Sequence, residues 1–197
     1  IKILVKLFIK NLLFLFAIYF VGSCNFAFSE TSVYGGVISE DTIWTKDASP
    51  YVIYGSEDGF ESFSVASGTT LTIEAGVVVK FDYGQSMNVE GELKANGTQE
   101  EKVYFTSIDD YSVLGGEGEI ILEPLINDWS GIFVLNGGKV DFYNVIESYA
   151  GTAIYSDTSE INLYNSTINN CQDGIISFGS SSIKLIDSNI RDILEDS

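Results

Sequence analysis

The chain contains no histidine, a single arginine (Arg191) and only 10 basic residues among 197. Those absences remove most of the usual means of acid–base catalysis at neutral pH, which a histidine or a tuned lysine, arginine or carboxylate supplies. They also exclude nucleic acid as a partner, because phosphate backbones are held by clustered lysine and arginine. Here 28 acidic residues set the net charge at −18. Only two cysteines are present, Cys24 and Cys171. A lone Cys171 without histidine is no protease-type nucleophile. Long apolar runs are missing too: Leu12–Val21 is the longest candidate, and Lys10 and Asn11 stop it short of the roughly 20 residues that a membrane-spanning helix needs.

What is present begins with an export pattern. Lys2, Lys6 and Lys10 precede the apolar run, and small residues follow it, so residues 1–29 read as a signal peptide. Two cleavages fit. Val21-Gly22-Ser23-Cys24 resembles a lipobox, which would make Cys24 the acylated N-terminus of a lipoprotein; Ala27-Phe28-Ser29 suits ordinary cleavage after Ser29. Either way Cys171 has no intramolecular disulfide partner. Without the three leader lysines, 7 cations face 28 anions, a net of −21. Such a surface suits calcium or a basic partner, or serves solubility alone. Ile1 in place of Met, and an end inside a repeat, suggest a piece of a longer reading frame.

The clearest signal is internal repetition. Lys139-Val140-Asp141-Phe142-Tyr143-Asn144 returns 21 residues on as Glu160-Ile161-Asn162-Leu163-Tyr164-Asn165, and 22 further on as Ser182-Ile183-Lys184-Leu185-Ile186-Asp187. Alternation sends Val140/Phe142, Ile161/Leu163 and Ile183/Leu185 one way and Asp141, Asn162 and Lys184 the other. A second apolar step recurs at Ala153-Ile154 and Ile175-Ile176. Short strands with a period near 22 predict an all-β solenoid, each coil adding a rung of roughly 4.8 Å. Asn144, Asn165 and Asp187 form a column at a tight turn, where Asn serves well by bonding to backbone and to the next Asn. An antiparallel sandwich or barrel also uses short strands and glycine turns, but it does not predict the shared register of residues 139–187.

Further segments carry a resemblance. Trp44-Thr45, Ser49-Pro50-Tyr51-Val52-Ile53, Leu71 to Phe81, Gly91 to Thr98, Phe105-Thr106-Ser107 and Asp128-Trp129-Ser130-Gly131-Ile132 resemble bacterial secreted and surface proteins with right-handed parallel β-helix repeats, in the pectate-lyase-like superfamily. The likeness covers about residues 33–190. It implies a right-handed parallel β-helix with residues 30–60 as an N-terminal cap, residues 61–197 as coils, and Trp129 in a structural role. It implies no ligand. The enzymes of that superfamily use histidine, or arginine as a base, and this chain offers only Arg191.

Residues 108–128 interrupt the repeat with an acidic, glycine-rich insertion. Asp109, Asp110, Glu117 and Glu119 are candidate calcium ligands, since Ca²⁺ takes six to eight oxygens from such loops. The same acidic pair could act in a glycosidase or simply face water. Tyr143 and Tyr164, outward in adjacent coils, are candidates for a glycan-binding strip. Together these readings predict an exported, monomeric surface module with an adhesive, glycan-contacting or scaffolding role and no catalysis of its own. Its partner would be a polysaccharide or a surface protein, with membrane contact only through a lipid anchor or before leader cleavage. The alternative is the N-terminal part of a polysaccharide lyase or glycoside hydrolase whose catalytic coils lie downstream.

Overall fold

The structure is a computed structural model and describes residues 30–55, 62–114 and 123–194. The leader with Cys24, and Glu117 and Glu119 of the insertion, lie outside the described residues. The chain winds as a right-handed parallel β-helix, three strands to a coil. The first coil is β1 (Thr31–Tyr34), β2 (Gly36–Ile38) and β3 (Thr42–Trp44); the second is β4 (Tyr51–Tyr54), β5 (Phe63–Val65) and β6 (Thr70–Ile73). The third is β7 (Val78–Phe81), β8 (Ser86–Val89) and β9 (Glu92–Asn96); the fourth is β10 (Val103–Ser107), β11 (Gly131–Val134) and β12 (Lys139–Tyr143). The fifth is β13 (Val145–Ser148), β14 (Thr152–Asp157) and β15 (Glu160–Tyr164). The sixth is β16 (Thr167–Asn169), β17 (Asp173–Phe178) and β18 (Ser182–Ile186), after which β19 (Asn189–Arg191) begins another turn.

Every third strand pairs, always in parallel. The first sheet, β1-β4-β7-β10-β13-β16-β19, has seven strands, and the other two have six each. The residues expected as a cap supply β1 to β4, the first coil and the first strand of the second.

Register turns the sequence alternation into a core. Leu71, Leu93, Val140, Ile161 and Ile183 form one column, and Trp44, Ile73, Ala95, Phe142, Leu163 and Leu185 another. Size varies along a column, as with Ala95 below Phe142. Stacked rings fill the centre: Trp44 on Tyr51 at 4.4 Å, Phe81 on Trp129 at 3.9 Å, and Phe105 on Phe142 at 5.1 Å. Trp129 is fully buried, and its Nε1 donates to the Ser148 carbonyl at 2.8 Å. Its structural role is thus visible as a clamp between coils.

The column Asn144, Asn165 and Asp187 stands at the turn from the third sheet back to the first. All three adopt left-handed backbone, with φ of 51°, 49° and 50°. Asn and Asp tolerate that region better than other residues that carry a Cβ. The bonds between coils differ from the expected Asn-to-Asn pattern. Backbone amides do the linking, Asn144 to the Tyr164 carbonyl and Asn165 to the Ile186 carbonyl, both at 3.0 Å. Serines assist: Ser166 Oγ accepts from the Val145 amide, and Ser188 Oγ from the Ser166 amide, each at 3.1 Å. The Asn144 side chain reaches the other way, donating to the Gly97 carbonyl at 3.0 Å.

Candidate functional site

Three surface regions carry chemistry-bearing side chains. The first is the outer face of the third sheet. Tyr143 and Tyr164 pair in register and stack at 4.6 Å with 4° between their planes. Lys184 Nζ lies 5.3 Å from the Tyr164 ring centre, on the next coil. The expected outward ladder is present. Its two rings face each other, and the Lys184 ammonium lies over the Tyr164 ring. Below it the same sheet is knitted by charge: Lys139 Nζ meets Asp141 Oδ2 at 2.8 Å, and Asn162 Nδ2 donates to Asp141 Oδ1 at 2.8 Å.

The second region adjoins that ladder. Where later coils turn through Asn144 or Asn165, the third coil leaves β9 through a longer loop, residues 97–102. Thr98 shapes it, its Oγ1 accepting from the Glu101 amide at 3.0 Å and its own amide bonding the Glu101 carbonyl at 2.8 Å. The loop leaves a groove of about 590 Å³ lined by Gly97, Thr98, Gln99, Lys102, Asn144 and Asn165. In a chain with 28 acidic residues, no carboxylate lines this groove, and its one charged residue is Lys102. Lys102 takes part in none of the ion pairs found among the described residues. The lining offers amide, hydroxyl and ammonium groups, a set that binds hydroxyls and carboxylates.

The third region is the described start of the insertion, residues 108–114, which lies against Lys80 of the first sheet. Lys80 Nζ, buried, donates to the Asp110 carbonyl at 2.8 Å and lies 5.4 Å from the centre of the Tyr111 ring. Burial lowers the Lys80 pKa, and the nearby Asp110 and Asp109 charges oppose that shift. Asp110 is itself occupied: Oδ2 accepts from Thr106 Oγ1 at 2.7 Å, and Oδ1 from the Ser112 amide at 3.1 Å and its hydroxyl at 2.5 Å. Asp109 accepts from the Tyr83 hydroxyl, a bond that pushes the Tyr83 pKa up to about 12. Asp128 accepts from Ser107 Oγ at 2.7 Å and from the Leu125 amide at 2.9 Å. Asp109 and Asp110 therefore serve different donors. Among the described residues, no group of three or more acidic, cysteine or histidine side chains is arranged to hold a metal ion.

The groove residues Gln99 and Lys102 were not singled out by sequence reasoning. The signal available was the length of the Gly97–Lys102 connection against the one- and two-residue turns of later coils. No known protein family, curated protein or solved structure matches the chain.

Proposed function

We propose that this chain is an exported surface module, related to the bacterial β-helix proteins it resembles, which contacts a polysaccharide without transforming it. The supporting observation is the groove beside the tyrosine ladder, where Lys102, Gln99, Asn144 and Asn165 gather around a space free of carboxylates. Its size is within the range of small-ligand sites. Amide side chains and hydroxyls suit vicinal diols, and Lys102 favours an acidic sugar such as a uronate over a neutral one. The parallel stack supplies a rigid support, since every coil is bonded to the next. Export would follow from the leader, with anchoring at Cys24 or release after Ser29.

The test is incubation of the leaderless protein with pectin, alginate, xylan and peptidoglycan, read as retention and as reducing ends or unsaturated products. Retention that weakens about tenfold in Lys102→Ala, without turnover, supports the reading. Turnover that disappears in Asp109→Asn or Asp110→Asn overturns it in favour of an enzyme. For anchoring, incorporation of labelled fatty acid that is lost in Cys24→Ala supports the lipoprotein form.

A further inference from the structure

One interior position breaks the rule that built the core. In the first sheet, Tyr51, Val79, Phe105, Glu147, Ile168 and Ile190 succeed one another in register. Glu147 thus occupies a place held by apolar or aromatic side chains in the neighbouring coils. It is wholly inaccessible to solvent, and neither carboxyl oxygen has a hydrogen-bond partner. Ser156 Oγ, inward on β14 of the same coil, is also buried without a partner.

Among the described residues, no countercharge enters this space. On the N-terminal side β10 presents Val103 and Phe105, and on the C-terminal side β16 presents Ile168. Across the coil stand Ile154 and Ser156 of β14, with Ile161 and Leu163 of β15. Among the described residues, the other titratable group beside it is the Cys171 thiol in the turn after β16, which burial and then Glu147 push up to about 12. A charged carboxylate here would face hydrocarbon on every side, whereas a protonated one remains tolerable. Desolvation accordingly raises the Glu147 pKa well above the ordinary carboxylate value.

We infer that Glu147 is a proton-linked parting line in the solenoid: while it is protonated the coils on either side stay seated, and its ionisation opens the strands from β13 onward. The least costly route to hydrating the charge leaves the aromatic stacks on its N-terminal side, Phe81 on Trp129 and Phe105 on Phe142, closed and parts the coils at β13. Because the folded state holds the proton more tightly than the open state, the closed form is fully favoured below the ordinary carboxylate range. That advantage is lost as pH rises toward the folded-state pKa. The opening equilibrium should grow about tenfold per pH unit in that interval.

The experiment is hydrogen exchange on the whole chain at pH 5.5, 6.5 and 7.5, with rates corrected for intrinsic exchange. Peptides from β13 to β19 should open about tenfold more for each unit, while peptides from β4 to β9 stay level. In E147Q, which keeps the shape and cannot ionise, the slope should vanish. Infrared difference spectra at pH 5.5, above the ordinary carboxylate range, should show a protonated carboxylic acid band that E147Q lacks. Equal slopes in both proteins, or absence of that band, would overturn the inference. If E147Q does not fold, E147M is also uncharged, and the same comparison decides.

Discussion

Removal of the Trp129 indole tests the architecture most directly, because that one ring joins three features. It stacks on Phe81 at 3.9 Å and 7°, its Nε1 caps the Ser148 carbonyl at 2.8 Å, and its backbone bridges to Ala150 in the next coil. It also follows Asp128, whose carboxylate fastens the end of the insertion to Ser107. Trp129→Ala deletes a fully buried aromatic from a dense core, a change that costs about 3–5 kcal/mol through lost transfer energy and the cavity left behind. The orphaned Ser148 carbonyl adds about 1 kcal/mol or more. For a chain of this size each kcal/mol lowers Tm by about 2–4 °C, so a fall of roughly 8–24 °C is expected. Trp129→Phe keeps the stacking partner, loses the N–H bond, and should fall about 1–2 kcal/mol short of the wild type. Thermal unfolding by circular dichroism measures both variants. The remaining indole, Trp44, reports by fluorescence whether the first coils melt in the same transition. A drop of less than about 2 °C in Trp129→Ala would show that the ring is not packed between coils, and the fourth coil would have to be rebuilt.

The other expectations concern the turn, the insertion and the core acid. Asn165→Gly should be close to neutral in chemical denaturation, whereas Asn165→Val should lose about 1–2 kcal/mol, because a β-branched residue is strained in left-handed backbone. Asp110→Ala strips Thr106 and Ser112 of their acceptor and should destabilise by about 1–3 kcal/mol. If those bonds are the whole role of Asp110, the loss is equal in millimolar calcium and in chelator. A melting point raised by calcium only while Asp110 is present would instead assign the insertion to metal. Glu147→Leu should melt higher than the wild type at pH 7.5, with the gap narrowing toward pH 5. A gap independent of pH would mean that Glu147 does not carry a shifted proton.

Much of the fold was legible because a solenoid writes its geometry into its period. The 21- and 22-residue spacing of Val140, Ile161 and Ile183 is the register seen between β12, β15 and β18. Alternation then fixes which side chains line the core, so the inward columns follow from reading every second residue. The repeat was weaker before residue 139 for a physical reason. Between Leu93 and Val140, paired in adjacent coils, the chain carries the insertion, so the spacing no longer shows the period. The Asn column was visible by residue type, yet its bonding was not. A left-handed turn can link coils through backbone amides and serine hydroxyls, and residue identity alone does not choose among these.

The candidate sites were less legible, and the reasons differ from one to the next. Asp109-Asp110 attracted notice as a carboxylate pair. What they do depends on Tyr83, Thr106 and Ser112, and no spacing rule connects these residues across two coils. The groove is a vacancy left by a loop that is longer than its successors, and a vacancy has no sequence signature. Glu147 is the instructive case. Val145-Ile146-Glu147 falls where the preceding coil has Val103-Tyr104-Phe105, so the alternation that identified the core also required this carboxylate to point inward. Binary patterning treats a polar residue at a core position as an error unless it is functional. A buried acid without a partner loses stability on ionisation that an apolar residue would retain. Its presence there is physically reasonable only if protonation keeps it neutral or if its ionisation is used. Those alternatives share the same raised pKa and part at the open state: exchange that tracks pH in β13 to β19 identifies use, and a level profile identifies a permanently neutral acid.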